Sequence, residues 1–509
     1  MVKRAWALLR RDLGGLLNAL PRRTAGARPG LHTYHLRPAG GSRRVHLRVA
    51  ADGSATLLVD VTDAVHLNAT AAMLAWSALE GEPPQRAARR LARRFRVAAA
   101  ERDRAVGEVY AIVKHLATCG EGCPTCGLAQ LERTPLFSIP VDAPYKADLA
   151  LSYRCNNACG HCYNPPGRRT MTSLDTDGWR RVLGKLAAVG VPQVIFTGGE
   201  PTLQEGLPEL VRAAERLGLV AGINTNGRRL ACPGYAAGLA RAGTSHVQVT
   251  LESCHTAVHN AMTGAEAFEE TVAGISAALE AGLYAITNTT LTRRNVDHVE
   301  QIVEFLHRLG LRTMAANGMI HAGAGRNHGD ALAEEELGPV LVRLRDRAAE
   351  LGMRLLWYTP TAYCRLSPVE LELGPRRCNA GQYSICVEPN GDVLPCQSDY
   401  RPLGNLLDDP WPAIWNDAGL VRFRNRTSDP RGAGLPPECW DCPDLSLCGG
   451  GCPLAHESAA TKPDDNAGCG EKGDKSNLCE APAGPLRGKL DLSPFSPACR
   501  KDRLHQVPD

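Results

Sequence analysis

The sequence predicts an α/β fold: a parallel sheet in a barrel-like arrangement, preceded by a winged-helix-like module and followed by a cysteine-rich domain. Three observations carry this. Strand and helix patterns alternate about six times between Leu149 and Arg326, as repeated βα units do. Residues 31–118 read as strands followed by three short helices. Nineteen cysteines stand mostly in groups at short spacing.

The 509 residues suffice for two to four cores. With 22% charged and 44% hydrophobic residues the composition is that of a globular protein, and a net charge of +4 is too small to imply nucleic acid. The start, MVKRAWALLRRDLGG, lacks the apolar region and cleavage site of a secretory signal, and no apolar run reaches membrane-spanning length. A cytoplasmic chain is therefore expected, with cysteines serving as metal ligands rather than disulfides.

Residues 1–30 form a basic amphipathic tail and linker, with Trp6, Leu9, Leu13, Leu16, Leu17 and Leu20 at helical spacing. Such a helix packs on the body or touches a surface. In 31–118, Leu31–Leu36 and Val45–Val61 read as strands, the latter turning at Asp52-Gly53. Asn68 caps a first helix burying Ala72, Leu74, Ala75 and Leu79. The second, Gln85–Phe95, carries Arg86, Arg89, Arg90, Arg93 and Arg94, and the third, Glu101–Leu116, has Val106, Val109, Val113 and Leu116 on one face. An arginine-rich helix of a winged helix can bind DNA, but Glu101, Asp103 and Glu108 lie close by. The order of elements and the runs HLNATAAMLAWSALEG and ARRLARRF resemble the PqqD-like chaperone of pyrroloquinoline quinone biosynthesis. That resemblance implies a peptide-recognition domain.

The linker 119–145 contains Cys119, Cys123 and Cys126 in TCGEGCPTCGL. Three thiols in a Gly/Pro-rich linker favour a further metal over inert thiols, with no identifiable fourth ligand.

The barrel is assigned to 146–326, with strands Leu149–Ser152, Gln193–Thr197, Leu219–Thr225, His246–Leu251, Tyr284–Leu291 and Arg312–Asn317. The first strand runs into Cys155, Cys159 and Cys162, spaced C-x3-C-x2-C. Three thiolates cannot complete a four-ligand shell; on a 4Fe–4S cubane they hold three irons and leave the fourth open. A zinc knuckle completed by a distant ligand is the alternative. With His161 before the last cysteine and Tyr163 after it, this loop resembles that of the radical S-adenosylmethionine (radical SAM) enzymes, whose fold is a partial (β/α)6 TIM-type barrel. Thr125 stands where the family has an aromatic residue, so Cys119–Cys126 is not the catalytic loop.

One unit later, Gly198-Gly199-Glu200-Pro201 looks like the family's site for the methionyl amino group. Asn224-Thr225-Asn226-Gly227 is a turn. Thr250-Leu251-Glu252-Ser253 replaces the usual Ser-Leu-Asp-Gly, and the resemblance makes Thr250 and Glu252 contacts to the nucleoside. Asn288 and Thr290 are ribose or substrate contacts, or barrel packing.

A linker helix is assigned to 327–359 and a domain to 360–470. There Cys378-x12-Gly391-x4-Cys396, with a hairpin at Asn390-Gly391, precedes Cys439-x2-Cys442-x5-Cys448-x3-Cys452 and then Cys469. Together with Gly404-Asn405-Leu406 and Trp411–Trp415 this resembles the SPASM extension, which implies two auxiliary 4Fe–4S clusters. One would take Cys364, Cys378, Cys396 and Cys452, with Cys386 competing for the place of Cys364. The other would take Cys439, Cys442, Cys448 and Cys469. A zinc ribbon would explain one C-x2-C pair but not the whole arrangement. Residues 471–509 are a tail; Cys479, Cys499, Cys232 and Cys254 read as ordinary thiols. Sulfatase maturases resemble this architecture but have an aspartate base where Gln397 stands, with Asp399 the nearest acid.

The resemblance implies an oxidoreductase-type maturase: reductive cleavage of S-adenosylmethionine to a 5′-deoxyadenosyl radical, hydrogen abstraction from a ribosomal peptide or protein, and oxidative modification or crosslinking. It also implies three 4Fe–4S clusters, a leader bound by 31–118, and a flavodoxin- or ferredoxin-type electron donor, with no nucleic acid. A radical SAM enzyme acting on a small molecule such as a tetrapyrrole is one alternative. An iron–sulfur DNA-binding regulator or electron-transfer protein is another, though a regulator needs no clamp for methionine.

Overall fold

The computed structural model describes residues 27–37, 43–60, 63–118, 137, 141–326 and 328–460. The basic segment before residue 27, the Cys119–Cys126 group, Cys469 and the tail lie outside them.

The N-terminal domain is an antiparallel sheet in the order β1 (Gly30–Leu36), β2 (Arg43–Val49), β3 (Ala55–Val59), β4 (Asp63–Leu67). The expected hairpin turns where Asp52 Oδ1 accepts the Ser54 amide at 2.9 Å. β4, too short to show a pattern, had not been anticipated. Helices α1 (Ala69–Leu79), α2 (Pro84–Arg94) and α3 (Ala99–Thr118) follow. Asn68 caps α1 by accepting from the Ala71 amide at 2.9 Å. Val45, Leu47, Leu57, Val59, Ala72, Ala75 and Leu116 close the core.

The domain is docked on the barrel through β2. Arg44 grips both oxygens of Glu215 at 2.8 and 2.7 Å, His46 Nε2 meets the Gly218 carbonyl at 2.8 Å, and Arg48 donates to the Ala143 carbonyl at 2.8 Å. Burial lowers the affinity of His46 for protons to a pKa of about 4, so a neutral ring makes this contact.

The second sheet has nine strands. The six predicted strands are β5 (Lys146–Ser152), β6 (Gln193–Gly198), β7 (Val220–Thr225), β8 (Thr244–Thr250), β9 (Tyr284–Thr290) and β10 (Thr313–Asn317). All neighbours among them are parallel. Helices α4 (Thr176–Ala188), α5 (Leu207–Arg216), α6 (Tyr235–Ala242), α7 (Thr256–Thr263), α8 (Phe268–Glu280) and α9 (Val299–Arg308) connect them. The period of two sorts the side chains. Leu149, Leu151, Val194, Phe196, Ile223, Val247 and Val249 join the helices in one core, while Asp148, Thr197, Asn224, His246, Gln248 and Asn288 alternate with them and point to the barrel's inner side.

The segment expected to be a linker instead extends the sheet. α10 (Glu334–Glu350) packs on α9, where Arg343 chelates Glu300, and leads to β11 (Arg354–Trp357), parallel to β10. At the other edge, β12 (Ser384–Val387) runs parallel to β5, and β13 (Val393–Leu394) completes the predicted hairpin. The C-terminal domain therefore begins inside the barrel sheet. No helix among the described residues is long and apolar enough to cross a membrane.

Candidate active site

The loop after β5 places Cys155, Cys159 and Cys162 at the strands' C-terminal ends. Its backbone is tied down on every side. The Ala158 amide donates to the Thr263 carbonyl at 3.0 Å, the Ala324 amide to the Cys162 carbonyl at 2.8 Å, and Arg228 to the Asn156 carbonyl at 2.7 Å. Burial is the chief force raising the proton affinity of all three thiols, and for Cys159 the neighbouring Cys162, Glu252 and Cys155 add to it. Three half-buried thiols that resist becoming anions together are a donor set that cationic iron would complete. Among the described residues no three donors converge tightly enough for a single ion, whereas a cubane is held at separate corners.

The glycines after β6 serve the chain itself. Gly198 adopts φ +126°, and a Cβ there would stand 2.2 Å from the Ser152 carbonyl oxygen; one on Gly199 would stand 2.2 Å from that of Arg154. Their absence lets the Gly199 and Glu200 amides bond those carbonyls at 2.7 and 2.8 Å. Glu200, 1% exposed, accepts from the Thr202 amide at 3.0 Å, the Thr202 and Thr225 hydroxyls at 2.5 and 2.7 Å, and the Asn226 amide at 2.7 Å. The expected turn at 224–227 thus supplies donors that orient Glu200, a role its sequence did not reveal. Only the Asn226 amide bonds Oε2, so that oxygen retains capacity for an amine.

Glu252, 0% exposed, turns toward the cysteine loop. Its Oε1 meets His161 Nε2 at 2.9 Å and its Oε2 accepts the Thr290 amide at 2.7 Å. Burial lowers the proton affinity of His161, but the charge and hydrogen bond of Glu252 outweigh it and the net shift is upward. Thr250 lies opposite Asn288 in the β8–β9 register. Asn288 Oδ1 is buried without a hydrogen-bond partner, an orphan acceptor of the kind a ligand satisfies.

The C-terminal domain closes one side of this mouth. The Tyr163 phenol donates to Gln397 Oε1 at 3.2 Å, and the Tyr400 phenol to the Tyr163 carbonyl and Asn164 Oδ1 at 3.1 and 2.8 Å. Glu388, fully buried, accepts from Tyr153 at 2.7 Å and pairs with Arg168. None of these partners had been foreseen, because each pair spans more than 200 residues. Asp399 is bound by Arg401 and its amide folds back onto the Cys396 carbonyl, so it is no free base.

The predicted auxiliary ligands fall into two groups. Burial is the chief force raising the proton affinity of Cys396, Cys452 and Cys439; Cys378 and Cys452 add to it at Cys396, Cys378 at Cys452, and Cys448, Cys364 and Cys442 at Cys439. Cys364 had been expected in the first group, but the residue before it, Tyr363, donates its amide to Cys448 Sγ, in the second group, at 3.3 Å. Cys386 lies on β12, packed with Ala150, Tyr153 and Leu394.

Known proteins are similar to this chain. The Radical SAM superfamily model matches residues 149–306, and that of SPASM, an iron–sulfur cluster-binding domain, matches 378–443. A PqqA peptide cyclase of Xanthomonas campestris pv. campestris is 31% identical over 325 residues, 61% of this chain and 82% of the relative. One of Streptomyces rochei is 30% identical over 335 residues, 64% and 89% of the two chains. The crystal structure of Streptococcus suis SuiB bound to its precursor peptide SuiA has the same fold, with a TM-score of 0.58 and 17% identity over 80% of this chain and 94% of that one. With the cysteine loop and the cysteine-rich domain in place, S-adenosylmethionine and iron–sulfur clusters are its cofactors, and the chain belongs to the radical SAM superfamily as an enzyme with a SPASM domain.

Proposed function

We propose that this chain is a peptide maturase that oxidatively modifies or crosslinks a ribosomally made substrate presented by a leader segment. The observation that carries the reading is its kinship with PqqA peptide cyclases over 82% of their length, joined to a separate sheet-and-helix domain docked on the barrel. When bound, the reduced cluster and S-adenosylmethionine supply a 5′-deoxyadenosyl radical that takes a hydrogen atom from the substrate.

The chain's own residues bind, orient and exclude water. Cys155, Cys159 and Cys162 would hold the catalytic cluster, leaving one iron for the methionyl group. Glu200, held by Thr202, Thr225 and Asn226, would take the amino group with Oε2. Thr250, Asn288 and the His161–Glu252 pair would border the nucleoside. The C-terminal thiols would hold two auxiliary clusters, giving three cubanes and about twelve irons per chain. These clusters would accept the second electron of an oxidation and anchor the substrate side of the barrel mouth.

Residues 31–118 would act as the PqqD-like leader-binding element. Among the described strands, β1 faces the barrel, where Thr33 reaches the Gly218 carbonyl, and β4 pairs only with β3. A leader extending the sheet at β4 would gain main-chain hydrogen bonds. Exposed Arg86, Arg89, Arg93 and Arg94 on α2 would favour acidic leaders. A flavodoxin- or ferredoxin-type donor in the cytoplasm would supply electrons.

The test is anaerobic incubation of the reconstituted chain with S-adenosylmethionine, a reductant and a short precursor peptide encoded beside its gene. 5′-Deoxyadenosine and a peptide lighter by hydrogen atoms are expected. Replacing Cys155, Cys159 or Cys162 by Ala abolishes both, and the triple replacement keeps roughly two-thirds of the iron. 5′-Deoxyadenosine with a modified tetrapyrrole and no modified peptide would overturn the peptide reading. Absence of S-adenosylmethionine cleavage together with tight duplex-DNA binding would favour a regulator.

A further inference from the structure

The turn that carries Cys448 and Cys452 separates these neighbours into different surroundings. Between them Gly449, Gly450 and Gly451 adopt φ of +65°, +78° and +73°, three consecutive left-handed residues that only glycine tolerates readily. The reversal turns Cys452 toward Cys378 and Cys396, where the fully buried Arg426 reaches the Cys378 carbonyl. It leaves Cys448 with Cys439 and Cys442.

Residues 361–364 lie against the Cys448 side of that reversal. The Cys448 thiol faces the Thr361 carbonyl at 3.6 Å, and the Tyr363 amide donates to Cys448 Sγ at 3.3 Å. A Cβ on Gly451 would come within 3.0 Å of the Ala362 nitrogen. Cys364 is the next residue, so chain continuity brings it to this group. Cys386 is wholly buried on the barrel side, beside Asp148 and Glu388.

We propose that Cys364 is a ligand of the cluster held by Cys439, Cys442 and Cys448, and that neither Cys364 nor Cys386 serves the cluster at Cys378, Cys396 and Cys452. Among the described residues this gives one site four thiols and the other three. The second site thus takes its fourth ligand from elsewhere or presents an open iron. The inference rests on the auxiliary-cluster reading above and concerns only how its ligands are divided.

The experiment uses the full chain, reconstituted anaerobically, with iron analysis and electron paramagnetic resonance of the reduced protein as readouts. Cys364→Ala is expected to alter the same signal as Cys442→Ala, with a loss of up to about four irons per chain. Combined with Cys442→Ala it should remove no further iron; combined with Cys378→Ala, the two losses should add. Cys386→Ala should leave iron unchanged. Additivity with Cys442→Ala but not with Cys378→Ala would overturn the proposal. If Cys378→Ala and Cys442→Ala both retain all iron, the cluster reading itself fails.

Thiol alkylation of the unsubstituted protein gives a check independent of folding. Cys364 and Cys232 are both exposed as bare thiols. With clusters loaded, Cys232 should label and Cys364 should be protected; after iron is chelated both should label. Rapid labelling of Cys364 in the loaded protein would overturn the assignment.

Discussion

Tyr163 donates its phenolic hydrogen to Gln397 at 3.2 Å, and each of these residues directly follows a cysteine from a different thiol group: Cys162 in the barrel loop and Cys396 in the C-terminal domain. One hydrogen bond therefore completes a short path between the two cysteine loops. Tyr400 reinforces it by bonding the Tyr163 carbonyl.

Tyr163→Phe removes that bond while keeping the ring. A neutral hydrogen bond is worth about 0.5–1.5 kcal/mol, so product formed per 5′-deoxyadenosine should fall about two- to tenfold, with iron content unchanged. Parent-like coupling would show that the bond merely packs the two loops.

His161 and Glu252 make a buried pair whose stability depends on pH. The native His161 holds its proton more tightly than a free histidine, because Glu252 outweighs the opposing effect of burial. Its contribution is therefore full below the unfolded value of about 6.5 and fades as pH rises through the raised native value. Melting temperatures across this range should fall more for the parent than for Glu252→Gln, in which the charge is gone. Glu252→Ala, which strands His161 and the Thr290 amide, should cost about 3–5 kcal/mol, read by denaturant unfolding.

What could be read in the sequence and what could not divide along one physical line. Local patterns were legible: the alternation that made β5–β10, the Asn68 cap, the hairpin at Asn390-Gly391, and the C-x3-C-x2-C loop. Partnerships across the chain were not. β12 adds only four residues to the sheet and finds its partner β5 more than 200 residues upstream. The helix before β11 looked like a linker because its polar face is what solvent sees. Gly198 and Gly199 were read only as part of a site for the methionyl amino group, yet the close approach they permit is that of the Ser152 and Arg154 carbonyls. Cys364 was grouped by what the resemblance to SPASM domains implies, whereas Thr361 and Tyr363 lie against Cys448.

A single substitution separates the structural role of Glu200 from its proposed role as the partner of the methionyl amino group. Four protein donors hold its carboxylate, so Glu200→Gln places an amide nitrogen against the Asn226 amide, donor facing donor. A loss of about 1–3 kcal/mol in stability is expected. Affinity for S-adenosylmethionine, measured by equilibrium dialysis on cluster-loaded protein, should drop about tenfold or more, equivalent to about 1.4 kcal/mol. The visible absorption of the cluster should persist. Unchanged affinity with lowered stability would reduce Glu200 to a latch between the loops after β6 and β7.

Arg44 and Glu215 test whether the N-terminal domain must be held in place for the enzyme to use its substrate. The pair is partly buried, with 16% and 33% of the two side chains exposed, and both carboxylate oxygens are engaged. Charge-assisted hydrogen bonds in such a setting are worth about 1.5–3 kcal/mol, so Arg44→Glu and Glu215→Arg should each loosen the docking. His46 and Arg48 remain on the same strand, and the domain keeps its own core of Val45, Leu47, Leu57 and Val59; neither variant should unfold it. Peptide-independent cleavage of S-adenosylmethionine should stay at the parent rate, because Cys155, Cys159, Cys162 and Glu200 are untouched. Turnover of leader-bearing peptide should fall in both single variants and recover when the two reversals are combined, since the swapped pair restores the attraction. Full peptide turnover in both single variants would show that docking through this pair is dispensable for catalysis.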